Sequence, residues 1–426
     1  MQIDSVLRKV EKFIPKKLYK FFQPIYHYLL SIGGAIRYGF PAYSGVTIIG
    51  ITGTKGKTST VEFVKGILEA SGNKVASTST IHFTIGDKEI KNKYKMSMPG
   101  RFFMQSFISR AKKASCSHIV LEITSEGSKF FRNKWIPLDA LIFTNLEPEH
   151  IENHGGFENY KQAKINMLKW LKKGATLVAN EDNEHHVDFL KANKQESITY
   201  SLDELDQKIS NNGGIVFSFG DVRIQSPIRG DFMISNMLAA AKVGKVLEIN
   251  DKTIKEGIES VKNIPGRIEQ IDMGQDFSVV VDYAHTPESL KAIYEAFNGK
   301  EIIGILGNTG GGRDKWKRPE MAKIAAKYCS KIILTNEDPY DEDPQSIVNE
   351  MYKAIEGKNT EIVLDRREAI KTALELAESN SAVIITGKGT DPYIMGANGE
   401  KTPWSDKEVI QEELKGLMMN KQMEVK

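Results

Sequence analysis

The turn Gly53-Thr54-Lys55-Gly56-Lys57-Thr58 holds the residues that most directly imply chemistry. The apolar run Val46 to Ile51 before it reads as a buried strand, and Val61, Val64 and Leu68 after it follow helical spacing. Strand, glycine turn and helix N-terminus together form an anion site, because free backbone N–H groups and the positive end of the helix dipole converge there. Lys57 can then reach the β- and γ-phosphates of a nucleotide, and the Thr58 hydroxyl a magnesium ion. The spacing is not that of the standard P-loop, which needs a glycine five residues before Gly56, where this chain has Ile51. ATP is the expected ligand, with Gly53, Thr54, Lys55, Gly56, Lys57, Thr58 and Ser59 around its phosphates.

Further candidates stand where apolar runs end. Glu122 closes the run HIVLEI, and Asn145 and His150 follow DALIFT. In open parallel sheets ligands sit beyond the carboxyl ends of strands, where a carboxylate can hold a metal ion. Taken singly, a strand-end glutamate is as readily a solvated cap.

These residues need a scaffold. From residue 46, apolar runs at 75–80, 118–123 and 139–144 alternate with helical patterns near 101–115 and 158–173, which predicts a mostly parallel sheet covered by helices. The stretch 181–230 reads as peripheral strands and loops. A second α/β series follows Pro265-Gly266, with strands expected at 278–282, 301–306, 330–335, 361–364 and 382–386. Helices are expected near 288–298, 318–328, 343–357 and 366–379. The expected division is an N-terminal arm (1–45), an ATP-binding domain (46–263) with a P-loop-like turn, and a Rossmann-like α/β domain (264–426).

The 426 residues, 40% hydrophobic and 27% charged, are those of an ordinary globular chain long enough for two or three domains. Cys116 and Cys329 form no CxxC pattern, which fits a reducing compartment and a cytoplasmic location. Residues 1–45 carry seven Lys/Arg against Asp4 and Glu11, a charge of +5, leaving −2 for the rest, and no nucleic-acid footprint emerges. The uncharged stretch Phe21 to Ile36 falls short of the roughly 20 apolar residues of a spanning helix. It is expected either to pack on the first domain or to lie at a membrane surface as a peripheral contact.

Nine segments in order, GTKGKTST, LEITSEG, FTNLEPEHIENHGGFENYKQAK, GDFMISNMLAA, PGRIEQI, DYAHTPESL, GNTGGGRDKWKRPEMA, TNEDPYDEDP and GKGTDPYI, resemble the Mur ligases, ATP-dependent amide-forming enzymes of cell-wall peptide assembly. The resemblance spans residues 46 to about 415 and is greatest to the tripeptide-synthetase branch. It implies a monomeric ligase joining an amino acid to a UDP-N-acetylmuramyl-dipeptide-like acceptor through an acyl phosphate. It further implies that Lys57 and Thr58 serve ATP and the first magnesium ion, with Glu122 and His150 as metal ligands. Lys164 falls where the family has a carbamylated lysine that helps hold a second magnesium ion. Asn236, Arg267, Asp282 and His285 match nucleotide positions. Ser97, Pro99 and Ser125 match the acceptor side, and Arg313, Asp338, Tyr340, Gly387 and Asp391 the amino-acid side.

The chain also departs from that branch. Only about 45 residues precede the phosphate turn, where the branch has a domain that grips UDP, so a smaller grip or a lipid-linked acceptor is expected. Met98 stands where a threonine hydroxyl is usual. Asp-Asn-Pro-Arg in the diaminopimelate-adding enzymes is Glu337-Asp338-Pro339-Tyr340 here, and a phenol cannot make the bidentate pair of a guanidinium. Gly-Lys-Gly-His-Glu is Gly387-Lys388-Gly389-Thr390-Asp391, which keeps a carboxylate for an incoming ammonium. Together these favour an amino acid without the distal carboxylate, such as lysine or ornithine, with a rearranged diaminopimelate pocket as the alternative. The competing readings are a folylpolyglutamate- or polyglutamate-type ligase with a non-UDP acceptor, and a non-catalytic nucleotide-binding subunit, against which the complete set Lys57, Glu122, His150 and Lys164 speaks.

Overall fold

The structure, a computed structural model, describes residues 16–38, 45–149, 154–211, 214–312, 314–355 and 357–424. These fall into two compact units, one from the ranges 1–61, 68–149 and 155–200, the other from 62–67, 150–154 and 201–426.

The first unit is built on eight strands: β1 (Thr47–Thr52), β2 (Val75–Thr78), β3 (His82–Ile85), β4 (Lys88–Lys91), β5 (His118–Glu122), β6 (Leu138–Phe143), β7 (Leu171–Asn180) and β8 (Glu196–Tyr200). They form one sheet in the order β4-β3-β2-β5-β1-β6-β7-β8. From β2 to β8 neighbouring strands run parallel, and β3 and β4 are antiparallel additions at one edge. The central strands are near-continuous Ile, Val, Leu and Phe because both faces are covered. The core takes Ile48 from β1, Leu121 from β5 and Leu141 and Phe143 from β6, with Met104, Phe107 and Ile108 of a flanking helix.

The helices that bear on the site are α1 (Lys16–Tyr38), α2 (Lys57–Ala70), α3 (Arg101–Lys113), α4 (Ser125–Lys129) and α5 (Phe157–Ile165). The helix expected over 158–173 ends at Ile165. A 3-10 turn, Asn166–Trp170, leads into β7, a strand that Lys172, Lys173 and Gly174 disguise in the sequence because they lie on its exposed first half. The N-terminal arm forms α1, which packs against α3.

The second unit holds an antiparallel sheet, β9 (Lys208–Asn211), β10 (Gly214–Phe219) and β11 (Val222–Ser226), followed by helices Asp231–Val246 and Asp251–Ser260. A second sheet follows: β12 (Glu269–Gln270), β13 (Ser278–Val281), β14 (Glu301–Leu306), β15 (Lys331–Leu334), β16 (Thr360–Ile362) and β17 (Ser381–Ile385), in the order β12-β13-β17-β14-β15-β16. All of its pairs except β12–β13 are parallel. Three of its helices start on side-chain caps, Thr286 before Pro287, Asp343 before Pro344 and Asp365 before Arg366, which satisfy first-turn N–H groups. A hairpin of β18 (Tyr393–Met395) and β19 (Lys401–Pro403) and the helix Asp406–Glu424 complete it. The expected mostly parallel α/β architecture is therefore present in both units.

Candidate active site

Strand register decides which residues meet. Ile51 pairs with Glu122, Thr52 with Phe143 and Thr78 with Leu121, so β1, β5, β6 and β2 end at the same edge of the sheet. Gly53, Glu122, Thr144 and Thr80 leave that edge together.

The turn is pinned from β6. Thr54 N–H donates to the Asn145 carbonyl at 2.9 Å, and Lys55 N–H to Asn145 Oδ1 at 2.8 Å. The Thr144 hydroxyl donates to the Lys55 carbonyl at 2.7 Å. Gly53 has a φ of +156°, and a Cβ there would run into Thr144 Oγ1, so only glycine fits. Lys57 opens α2 and folds back, its Nζ donating to the carbonyls of Gly53 (3.0 Å) and Thr54 (2.8 Å). An ammonium held on two carbonyls at a helix N-terminus is placed for an incoming phosphate.

Glu122 is 1% exposed. Its Oε2 accepts from the Thr58 hydroxyl at 2.8 Å and from Thr80 N–H at 3.1 Å, both neutral donors. A buried carboxylate beside the Thr58 hydroxyl is a hard-oxygen pair of the kind that can hold magnesium. No group of three or more His, Cys, Asp or Glu converges among the described residues, and His150 lies outside them.

Lys164, on α5, is buried, and its Nζ donates to the Gly53 carbonyl at 2.6 Å. Burial pushes its pKa well below the usual lysine value, reinforced by the charge of Lys57 and opposed by Glu149 and Glu122. Its neighbour Tyr160 meets Thr54 Oγ1 at 2.9 Å, and burial raises that phenol's pKa. Ser59, next on α2, is buried behind the turn.

The residues expected on the acceptor side also lie in the first unit. Ser97 and Met98 are fully buried and Pro99 is half-buried. The Met98 carbonyl accepts from Arg132 at 2.9 Å. Ser125 opens α4, capped by Thr124, and Met98 Sδ fills the space where a side chain on Gly127 would go. The segments 96–99 and 124–127 are thus in contact, and Met98 is a packing residue.

In the second unit Asp282, just after β13, accepts from the N–H groups of Ile268 and Ala284, each at 2.7 Å. Burial raises its pKa against the pull of Arg267. Arg267 stacks on Tyr283, 4.6 Å from the ring centre, and His285 Nδ1 lies 2.8 Å from the Tyr283 carbonyl. Asn236 is buried in the helix Asp231–Val246, its Nδ2 directed at Met233 Sδ at 3.7 Å.

Asp338 and Gly387, expected on the amino-acid side, lie close to one another. Asp338 Oδ1 accepts from Lys388 Nζ at 2.7 Å and from Met395 N–H at 2.8 Å, an ion pair that ties the two motifs together. Gly387, at φ +99°, leaves room for Glu337 Oε2. Glu337 Oε1 accepts from Thr309 at 2.9 Å. Asp391 lies 3.7 Å from Lys388 Nζ, and its charge is the main influence raising the Tyr283 phenol. Tyr340 takes a positive φ of 52° and donates its N–H to Met395 O at 3.0 Å. Arg313 lies outside the described residues.

The structure therefore brings Lys57, Thr58, Glu122 and Lys164 together at one edge, and Asp338, Gly387 and Asp391 with Tyr283 at another. Reading the sequence missed Thr80, Thr144, Tyr160, Glu337 and Lys388. Thr144 directly follows β6 and Thr80 lies two residues past β2, which is a usable signal, whereas Tyr160 and Lys388 are identified only by what they touch.

The family description "Mur ligase middle domain" matches residues 51–244, and "Mur ligase, glutamate ligase domain" matches residues 266–389. The chain is 33% identical to the UDP-N-acetylmuramoyl-L-alanyl-D-glutamate–2,6-diaminopimelate ligase of Bacillus cereus, over 90% of this chain and 81% of that one. A solved structure of a ligase with that same name superposes at a TM-score of 0.62 and 25% identity, covering 88% of this chain and 79% of the other. Mycobacterium tuberculosis folylpolyglutamate synthase, in complex with ADP and AMPPCP, superposes at 0.71 with 17% identity, covering 92% and 97%, a likeness of fold alone.

Proposed function

The chain belongs to the Mur ligase family of ATP-dependent ligases of peptidoglycan synthesis, and on that basis we propose that it joins a lysine-like amino acid to the carboxylate of a UDP-N-acetylmuramyl-dipeptide-like acceptor. The observation that carries this reading is the meeting of Lys57, Thr58, Glu122 and Lys164 around Gly53.

On this reading the turn and the α2 N-terminus receive the ATP phosphates, and Lys57 moves from the Gly53 and Thr54 carbonyls to the β- and γ-phosphates. The acceptor carboxylate attacks the γ-phosphorus and ADP leaves. The amino group then attacks the acyl carbon, loses a proton and expels phosphate. Lys57 offsets repulsion between the two anions, and holding the reactants in place supplies most of the acceleration. Magnesium, when bound, neutralises phosphate charge and would be held by Thr58 and Glu122, with His150 and a carbamylated Lys164 as further ligands. The lowered pKa of Lys164 supports the carbamate, since only an uncharged amine takes up carbon dioxide.

Asp391 would receive the ammonium of the amino acid, with Tyr340, Gly387 and Arg313 near its side chain. Asn236, Arg267, Asp282 and His285 would serve the nucleotide, and Ser97, Pro99 and Ser125 the acceptor. Tyr340 where an arginine would pair with a distal carboxylate favours lysine, while the relatives' printed names favour diaminopimelate as the second reading. The proposed domain boundary at 263/264 falls in the gap between the two family matches, which end at 244 and resume at 266. We place the enzyme in the cytoplasm, as a monomer. A contact of residues 1–45 with a lipid surface rests on α1 and stands independently of the ligase chemistry.

Phosphate release from ATP tests this, with UDP-N-acetylmuramyl-dipeptide and bicarbonate present, across lysine, ornithine, diaminopimelate and glutamate. Release that requires both the dipeptide and lysine is expected, and Lys57→Ala should lower it by about 10²- to 10³-fold. Release with diaminopimelate alone selects the second reading, and release with no combination overturns both.

A further inference from the structure

The fold leaves one face of α1 uncovered. Ser31, Gly34 and Ala35 are buried against the first unit. The same side makes ring contacts between His27 and Phe130 (5.1 Å) and between Tyr28 and Phe131 (5.9 Å). On the opposite side Ile25, Leu29 and Ile36 are 55%, 61% and 69% exposed. Spacings of four and seven residues put these three in a single stripe, with half-buried Ile32 between them. A helix docked on a domain ordinarily turns polar residues to solvent, and this one turns branched aliphatic ones.

The charge on the helix identifies what would cover that stripe. Its 23 residues include Lys16, Lys17, Lys20 and Arg37 and no acidic residue. Lys134 adds a further positive charge, its Nζ 3.9 Å from the centre of the Tyr28 ring. Arg8, Lys9 and Lys12 precede the helix in the sequence. A net positive charge on the segment that carries an aliphatic stripe matches the anionic headgroups and acyl chains of a bilayer surface. No described helix is long and apolar enough to cross a membrane.

We propose that α1 lies in the plane of an anionic lipid surface, with Ile25, Leu29, Ile32 and Ile36 inserted below the headgroups and the net positive charge of residues 1–45 drawing the segment to that surface. The ligase would thereby work at the surface that carries lipid-linked cell-wall precursors.

The test is co-sedimentation of the full chain with vesicles of phosphatidylcholine alone or of phosphatidylcholine mixed with phosphatidylglycerol. It uses no ATP, amino acid or acceptor, so failure here leaves the ligase reading intact and failure of that reading leaves this result interpretable. Binding to the mixed vesicles at least about tenfold above the neutral ones is expected, weakening as salt rises. The triple variant Ile25→Gln, Leu29→Gln, Ile36→Gln should lose it with an unchanged melting temperature. If that variant does not fold, Lys16→Gln, Lys17→Gln, Lys20→Gln carries the test through loss of the preference for anionic lipid. Wild-type protein that ignores both vesicle types, equal binding to neutral vesicles, or undiminished binding by a folded variant overturns the proposal. So does a wild-type dimer that the apolar variant dissociates, because the stripe would then be covered by a second copy of the chain.

Discussion

Lys164 Nζ lies 2.6 Å from the carbonyl oxygen of Gly53, across a sequence separation of 111 residues. The same carbonyl accepts from Lys57 Nζ at 3.0 Å, so one backbone oxygen holds two lysines whose charges oppose each other. Burial and the charge of Lys57 both disfavour the ammonium of Lys164.

The proposed carbamylation draws on that pressure, because only an uncharged amine takes up carbon dioxide. Activity should rise with added bicarbonate, and the ¹³C spectrum of protein equilibrated with labelled bicarbonate should show a carbamate carbon that Lys164→Met lacks. Turnover by that variant should fall by about 10²-fold or more. In the unmodified protein, folding releases the proton of Lys164. Stability should therefore increase with pH from the lowered native pKa up to the ordinary value of 10.5, and be flat below that window.

Gly53→Ala should be damaging in two ways. The new Cβ meets Thr144 Oγ1, and a φ of +156° is unsuited to alanine. Denaturant unfolding should show a loss of about 1–3 kcal/mol. ATP binding should weaken even where the protein remains folded, because Thr144 also fixes Lys55.

Asp391→Ala should separate amino-acid use from ATP use. An apparent affinity for the amino acid lowered by about tenfold or more, with ATP affinity within about twofold, is the expected pattern, since a charged hydrogen bond is worth roughly 1.5–3 kcal/mol. Unchanged amino-acid affinity would remove Asp391 from that role. Asp338→Ala should act differently and lower stability, because it removes the carboxylate that pairs with buried Lys388 at 2.7 Å.

His27 makes the docking of α1 sensitive to acid. Burial, with the charges of Arg101 and Arg132, lowers its pKa from 6.5 to about 4. A histidine held neutral in the folded state contributes stability that is complete above the unfolded value. That contribution is lost as pH falls from 6.5 towards 4. His27→Gln should flatten the decline of the melting temperature over that interval, and a variant that declines as steeply as wild type would exclude the histidine as its cause.

The strand Val46 to Ile51, the glycine turn and the helix after it were legible because hydrophobic period and glycine placement are local properties of the chain. The strands β13 to β17 of the second unit were legible for the same reason, as short apolar runs between helical patterns. Lys57, Thr58 and Glu122 could be named from sequence because each follows directly from a strand end or a helix start. The sequence alone did not disclose β7, whose first half is polar, or the positions of β3 and β4, which are short and partly exposed. Nor could it distinguish Lys164 from a solvated helix lysine. Its burial depends on where α5 lies against the turn, and therefore on the register of β1 with β5 and β6. The role of Asp338 was likewise decided by tertiary structure, because its ion pair with Lys388 needs two loops 50 residues apart brought within 2.7 Å. Local sequence fixes which backbone groups are free and which side chains are apolar; the dielectric around a charge and the identity of its partner come from packing between distant segments.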